Sequence, residues 1–392
     1  MNNPLGRVSL TKVVHIVSRL NVGGVAQQVL TIHEGMNGNG FECSLVTGKT
    51  GDEEGDMLNY VSPTGTIHHI PEMGRSVHFL SDFKAFWKLF RYLRTKQPDI
   101  VHTHAAKAGA LGRIAGLLAG IPVRVHSFHG NVFRGYFSLM ASSVAVWIER
   151  MLGWISTVVV LPCESQRLEI FETYRVVPKK KTRIVRYGIV VDLYKDLLDK
   201  KEARRVLEVG ADSLIVGAVG RMAPIKNHAL LIESFARLPE KMGDQPLELL
   251  IVGAGECKNE IKEQVRAANL TSRVHFRSWL KDLRWAYAAM DVFALTSRNE
   301  GMPIAVMEAM ASGVSTISTA VGGVVDLVRD GETGILVNEH TGESFSRKLE
   351  VLLLDKQLRE EISERARRYV QEMHSDVGLV QNTRNLYREL LN

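Results

Sequence analysis

Two glutamates, Glu300 and Glu308, have seven residues between them and straddle the expected start of a helix. Gly301, Met302 and Pro303 follow the first glutamate, and Gly313 closes the run. Proline at the first helical position and glycine just past the last are the usual punctuation of a short helix. The N-terminus of such a helix carries unpaired N–H groups and a partial positive charge, so it attracts a diphosphate. A carboxylate just ahead of it accepts hydrogen bonds from sugar hydroxyls. One lying about two turns further in accepts both hydroxyls of a ribose diol. The layout therefore suits a nucleotide-sugar. As isolated residues, Glu300 reads as a charge at a helix start and Glu308 as a solvated helix residue, so the neighbouring motifs decide.

A second group is cationic. Gly220-Arg221-Met222-Ala223-Pro224-Ile225-Lys226-Asn227 follows an apolar run at 214–219. Asn227 is expected to cap a helix whose apolar face carries Leu231, Phe235 and Leu238. Arg221 and Lys226 then sit in a strand-to-helix loop. Two cations there can neutralise a leaving diphosphate without a divalent metal. The bland alternative is a pair of solvated loop cations.

A third group is histidine-rich: His102, His104, His126 and His129. Their spacing matches no standard zinc pattern, and the pairs end different strands. Gly23-Gly24 opens a helix with Val25, Val29, Ile32 and Met36 on one face. That glycine pair lets backbone approach a phosphate or sugar closely, or is a plain strand-to-helix turn. Gly48-Lys49-Thr50 lacks the first glycine of a phosphate-binding loop, which falls on Cys43. Gly253-Ala254-Gly255 lacks the third glycine of a dinucleotide fingerprint.

The elements that must carry these groups alternate. Strands are expected at 13–17, 41–47, 100–104, 123–127 and 184–186, with helices at 81–96 and 107–120. The alternation restarts with strands at 214–219, 247–252, 274–276, 292–295 and 314–317. Strands alternating with helices mean an α/β chain of two doubly wound parallel sheets, with functional loops at the strand C-termini. The stretch 134–156 is rich in Trp, Phe and Leu and reads either as a core helix or as an amphipathic surface for a membrane. Lys179-Lys180-Lys181-Thr182-Arg183 reads as a solvated loop or as extra attraction to an anionic leaflet.

Length and composition set the outer limits. The 392 residues allow two domains, and 45% hydrophobic with 23% charged residues describe a folded chain rather than a disordered one. Cys43, Cys163 and Cys257 are odd in number and form no C-x-x-C, which reads as reduced thiols. The opening residues do not read as a leader, and no apolar run is long enough for a span; the expectation is a cytoplasmic protein. A net charge of +6 and pI near 9.1 favour anionic partners: nucleotide sugars, lipid phosphates or acidic membrane surfaces. No aromatic-interleaved basic motif supports nucleic acid.

The run Glu300-Gly301-Met302-Pro303 … Glu308-Ala309-Met310-Ala311-Ser312-Gly313 resembles the E-x(7)-E signature of the family 4 retaining glycosyltransferases. The likeness continues through Gly322-Gly323, Asp330-Gly331 and Thr333-Gly334-Ile335-Leu336-Val337. It extends back to Gly220-Arg221 … Lys226-Asn227, to the Val125–Phe133 run VHSFHGNVF, and to Tyr187-Gly188-Ile189. In the last of these Tyr187 stands where the family has Asn, and the acidic residue arrives late, at Asp192.

The resemblance implies the glycosyltransferase-B fold, two Rossmann-like domains facing a cleft. The first, at 1–189, would hold the acceptor and the second, at 190–373, the nucleotide sugar; a final helix in 374–392 would cross back. It implies transfer, with retention, of a sugar from a UDP-hexose or UDP-N-acetylhexosamine. The acceptor would be lipid-linked or saccharide, in polysaccharide or glycolipid assembly at the inner face of a membrane. No cofactor or metal is implied. Arg221 and Lys226 would stabilise the leaving diphosphate, Glu308 hold the ribose and Glu300 orient the sugar. Gly301, Met302 and Pro303 would line the donor, Gly24 allow close approach, and His129 touch the transferred sugar. The base would lie near Ser278 and Trp279. A small soluble acceptor, or a nucleotide-sugar epimerase of the same fold, are the alternatives.

Overall fold

In the computed structural model the described residues are 10–51, 55–74, 78–130, 139–196 and 198–392. Apolar runs bounded by loops become two parallel sheets. The first contains β1 (Thr11–Val17), β2 (Phe41–Thr47), β3 (Thr66–His69), β4 (Ile100–His104), β5 (Val123–Ser127), β6 (Val158–Leu161) and β7 (Thr182–Ile184), in the order β3-β2-β1-β4-β5-β6-β7. The second contains β8 (Leu214–Val219), β9 (Lys241–Met242), β10 (Gln245–Val252), β11 (Val274–Arg277), β12 (Val292–Leu295), β13 (Ser315–Thr319) and β14 (Ile335–Val337), in the order β11-β10-β8-β12-β13-β14. Only β9 runs antiparallel, as a short edge partner of β10, among the described strands.

The central strands β4, β8, β12 and β13 are buried along their whole length. Helices cover both sheet faces, so β8 (LIVGAV) and β12 (VFAL) are continuous apolar runs rather than alternating ones, while β4 and β13 bury His, Thr and Ser side chains as well. In the first half the helices are α1 (Gly24–Met36), α2 (Phe79–Lys96), α3 (Ala106–Leu118), α4 (Leu139–Ile155) and α5 (Glu164–Leu168). Next come α6 (Lys200–Val206), α7 (His228–Ala236), α8 (Lys258–Ala267), α9 (Arg284–Ala289), α10 (Ile304–Ala311), α11 (Val324–Leu327), α12 (Gly342–Leu354) and α13 (Lys356–Met373).

The last helix, α14 (Asp376–Leu391), returns to the first sheet. Its Leu379, Leu386 and Tyr387 share a core cluster with Val13, Ile32 and Ile100. The two crossings between sheets lie side by side. Ile189 N donates to His374 O at 2.9 Å and Asp376 N to Ile189 O at 2.9 Å. Gly188 is pinned to α1: Gln28 Nε2 donates to Gly188 O at 2.8 Å, and Gly188 N to Gln28 Oε1 at 3.0 Å.

Strand order reverses between β1 and β4 in one sheet and between β8 and β12 in the other. In doubly wound sheets a ligand crevice opens at the C-terminal edge of such a switch point. Everything that follows β1, β5, β8 and β12 converges there. Some expected boundaries shift: β7 ends at Ile184 instead of beginning there, and β13 starts at Ser315 rather than Val314. Strands β3, β6, β9 and β14 are additional to those expected. Of the aromatic stretch 134–156, residues 134–138 lie outside the described set.

Candidate active site

The loops that follow β8 and β12 clamp each other. Arg298 N donates to Ile225 O at 2.8 Å, and Thr296 Oγ1 to Asn227 O at 3.0 Å. Across this clamp Lys226 Nζ meets Glu300 Oε1 at 2.6 Å, and Ser297 Oγ donates to the same oxygen at 2.5 Å. The Lys226 stem passes beside Gly220. Arg221 begins the same loop and, among the described residues, its guanidinium joins no ion pair. The phosphate-facing cation and the sugar-facing carboxylate expected from the sequence are thus in direct contact. Asn227 stands at the α7 N-cap position as expected, but its side chain makes no capping bond there. Its backbone is left-handed, with φ 50, which turns the side chain away; Arg298 Nη2 approaches its Oδ1 at 3.5 Å instead.

Helix α10 begins immediately after Met302 and Pro303, with Pro303 as N-cap, and both residues are buried. Ile304 and Glu308 are four apart, hence on one face of this helix. That face meets α1 of the first half. A Cβ at Gly24 would fall 2.7 Å from Ile304 Cγ1, so only glycine allows the two helix starts this close. The close approach foreseen for Gly24 is therefore to α10 itself in this structure. One turn along α1, the Gln27 side chain hydrogen-bonds Glu308. Gly301 plays the matching part in the loop: a Cβ there would sit 2.2 Å from His129 O. Glu300–Gly301, Ile304 and Glu308 thus form one line along the cleft, opposite His129, Gly24 and Gln27.

Glu308 is not solvated: it is only 5% exposed. Tyr287 Oη donates to its Oε2 at 2.7 Å. Burial raises its pKa above the ordinary carboxylate value, against the opposing pull of hydrogen bonds from Tyr287, Tyr194 and Gln27. A carboxylate so placed is a strong acceptor with three polar partners that hydroxyls of a ligand can replace. Ser278 is exposed after β11, while Trp279 is half-buried and leans on Gly253. Trp279 packs in this structure and still borders the end of the strand.

His129 lies in a chain of rings. Its Nε2 contacts His104 Nδ1 at 3.0 Å, and its Nδ1 is held by the Tyr187 hydroxyl. His104 Nε2 contacts His15 Nδ1 at 3.2 Å. His102 is engaged by Tyr387 Oη at 2.6 Å and Ser127 Oγ at 2.7 Å. His104 and His126 are fully buried. Nitrogens of His15, His102 and His104 lie within 4.8 Å of one another, but hydrogen bonds within the cluster already use most of them. Beside the rings is a cavity of about 20 Å³ bordered by Gln28, His102, Ser127, His129 and Tyr187, room for about one water molecule.

Burial lowers His129 to about 3 and His15 to about 3, and drives His102, His104 and His126 well below 6.5. Such a histidine binds fewer protons folded than unfolded. Its share of stability is complete above 6.5 and is lost as pH falls from 6.5 toward about 3. Glu308, raised, works in the opposite sense, but it is one group against several. Stability measured by urea unfolding should therefore fall from about pH 7.5 to about pH 5, with a limiting slope of about 1.4 kcal/mol per pH unit for each histidine. A flat profile over that interval would exclude a neutral histidine chain.

Sequence reasoning did not single out Gln27, Tyr194 or Tyr287, and no local pattern marks them. Tyr187 did carry a signal: it departs from the family at the linker, and its hydroxyl is what reaches His129.

The comparisons agree with this architecture. The family profile described as Glycosyl transferase 4-like domain matches residues 23–188, and that described as Glycosyl transferases group 1 matches 199–369. The UDP-Gal:alpha-D-GlcNAc-diphosphoundecaprenol alpha-1,3-galactosyltransferase of Escherichia coli is 28% identical, over 98% of both chains. A D-inositol 3-phosphate glycosyltransferase of Corynebacterium aurimucosum is 27% identical over 95% of this chain and 92% of its own. Among solved structures, Anabaena HepE in complex with UDP and glucose superposes with a TM-score of 0.82 at 19% identity, covering 97% of this chain and 100% of that one. Both halves are matched in order, relatives align from end to end, and the two-sheet cleft is shared: the chain belongs to the family 4 glycosyltransferases and has their glycosyltransferase-B fold.

Proposed function

We propose that the protein transfers a hexosyl or N-acetylhexosaminyl group from a UDP-sugar, with retention, to a lipid-linked saccharide in polysaccharide or glycolipid assembly. The observation that carries this reading is the clamp between the β8 and β12 loops, Lys226 against Glu300, at the C-terminal ends of the two strands that flank the second sheet's switch point, with Arg221 earlier in the same β8 loop. In this reading the diphosphate takes the place of Glu300 as partner to Lys226, and Arg221 completes the neutralisation. The freed Glu300 accepts from the sugar hydroxyls. Glu308 gives up bonds from Tyr194 and Gln27 and receives the ribose diol. Ser278 and Trp279 border the uracil.

The acceptor hydroxyl attacks the anomeric carbon from the face that the diphosphate leaves. The carbon–oxygen bond to the β-phosphate breaks as the new glycosidic bond forms, and the acceptor proton passes to the departing phosphate oxygen. Positive charge from Arg221 and Lys226 stabilises that departure, which removes the need for a divalent metal. His129, neutral and fixed by Tyr187 and His104, hydrogen-bonds the sugar near the reacting carbon by exchanging one of those partners. Closure of α1 on α10 excludes water and limits hydrolysis of the donor. The choice of UDP and of a lipid-linked acceptor is supported by the Escherichia coli relative named above and by the UDP complex of HepE.

A panel of UDP-galactose, UDP-glucose, UDP-N-acetylglucosamine and GDP-mannose, offered with a polyprenyl-diphosphate sugar, tests the proposal. Transfer from a UDP-sugar, with an α-linked product by NMR, is the expected result. A β-linked product overturns the retaining mechanism. Transfer from the GDP-sugar alone overturns the choice of base. An epimer formed from donor without acceptor marks an isomerase instead.

A further inference from the structure

Helix α4 is built inside out for a helix on a water-facing surface. Met140, Val144, Trp147, Ile148, Met151 and Trp154 recur at three- and four-residue spacings and occupy one arc of about 120°. All six are exposed, with Met140 at 81%, Trp147 at 61% and Trp154 at 80%. Of its two charged residues, Arg150 is exposed and donates from Nη2 to Tyr174 O at 2.7 Å, while Glu149 points the other way. Glu149 is buried against the fully buried Arg113 of α3, whose Nη2 donates to its Oε2 at 2.7 Å. An apolar outer face and an ion pair on the inner face reverse the arrangement that water selects.

The reversal does not stop at one helix. α3 packs against both α4 and α2, so the three helices form one layer on the first sheet. α3 adds exposed Leu117 and Leu118, and α2 adds exposed Phe83 and Trp87. Large exposed apolar residues on three helices packed side by side mark an interaction site rather than scattered surface residues.

Cations border the surface. Lys181 Nζ donates to the carbonyls of Trp154 at 2.9 Å and Ser156 at 2.7 Å, which fastens the Lys179–Lys181 run at the C-terminal end of α4. Lys179 and Lys180 remain exposed in that run, with the Lys179 ammonium 5.8 Å from the Phe171 ring centre, and Lys84, Arg91 and Arg94 are exposed on α2. The acidic Asp82 of the same layer is neutralised by Lys107 at 2.5 Å.

We infer that the outer face of α2, α3 and α4 lies in the headgroup region of an anionic bilayer, with Trp147 and Trp154 as its interfacial anchors. Tryptophans flanked by lysines, above an aliphatic stripe, are the chemistry that such a boundary takes up. No helix among the described residues is long and apolar enough to cross a membrane, so the contact lies on the surface. A second copy of the chain fits worse, because an isologous contact would return the basic rim toward itself. α4 starts nine residues after Gly130, which faces Gly301 across the cleft. Docking therefore holds the cleft at the lipid surface. Its value for the reaction rests on the lipid-linked acceptor proposed above, whereas the binding itself does not.

The test is flotation of the full chain with vesicles of phosphatidylglycerol and phosphatidylethanolamine, beside vesicles of phosphatidylcholine. The parent should float with the anionic vesicles, less so in high salt, and Trp147→Ser/Trp154→Ser should reduce the bound fraction about tenfold. A Lys179→Ser/Lys180→Ser variant should lose mainly the salt-sensitive part. Circular dichroism and UDP binding, unchanged in both variants, establish that they fold. No flotation, or equal flotation of the tryptophan variant, overturns the inference. A dimer that the tryptophan variant dissolves assigns the face to a second copy and overturns it as well. Flotation without transfer to any lipid-linked acceptor would leave the docking intact and sink the acceptor reading instead.

Discussion

Lys226→Ala is expected to lower turnover about a hundredfold or more, the usual scale for removing a group that stabilises developing negative charge. The loss should fall mainly on kcat, because the charge on the leaving phosphate develops toward the transition state. Stability should change far less. The ion pair it breaks is partly solvated at lysine, 25% exposed, but Glu300 is only 10% exposed and keeps Ser297 as donor. A loss of about 1–2 kcal/mol in unfolding free energy follows from leaving that carboxylate without its cation. Turnover and urea midpoint measured on one preparation separate the two effects. Turnover within about threefold of the parent would dismiss Lys226 as the diphosphate partner, wherever the midpoint falls.

Glu308→Gln should separate binding from folding in the opposite way. The substitution keeps shape and one acceptor oxygen but removes the charge. Hydrogen bonds to a charged group contribute about 1.5–3 kcal/mol each, so UDP affinity should drop about ten- to a hundredfold by calorimetric titration. The fold should not suffer. Burial holds Glu308 above the usual carboxylate pKa, so the folded state binds more protons than the unfolded one between the two values. The stability this residue allows is therefore full at low pH and declines as pH rises through that interval, and the neutral amide escapes the decline. The variant should match the parent near about pH 5 and equal or exceed it near about pH 8. Unchanged UDP affinity would remove Glu308 from the ribose site. A large loss of stability at high pH would mean that its charge is needed for the fold.

The parts of the site legible in the sequence are those encoded by short-range rules. The strand at Val292–Leu295 stands where its apolar run predicts, and α10 ends ahead of Gly313 as expected, though Pro303 caps the helix instead of opening it. The β8 loop and the β12 loop were each recognisable because glycine, proline and charge fall at fixed offsets inside a few residues. That both would follow the C-terminal ends of strands was also readable, from the alternation of strands and helices; that those strands flank a switch point came from the sheet order.

What the sequence by itself determined is thus the two-sheet architecture and the family, and it marked Arg221, Lys226, Glu300 and Glu308 as candidates, of which Lys226 and Glu300 meet in the folded chain. Tertiary structure alone decided how those side chains are satisfied. Glu308 is buried beneath Tyr194, Tyr287 and Gln27; His129 is tied to Tyr187; and Lys226 is paired with Glu300. It likewise decided which face of α4 turns outward. Periodicity shows that a helix has an apolar stripe, but whether that stripe meets the sheet or the solvent depends on Arg113, which draws Glu149 inward. The physical reason is the same in each case. Helix period, turn chemistry and capping act within a few residues, whereas burial and hydrogen-bond partnership depend on groups far apart in the chain, and these meet only once the sheets and helices have packed.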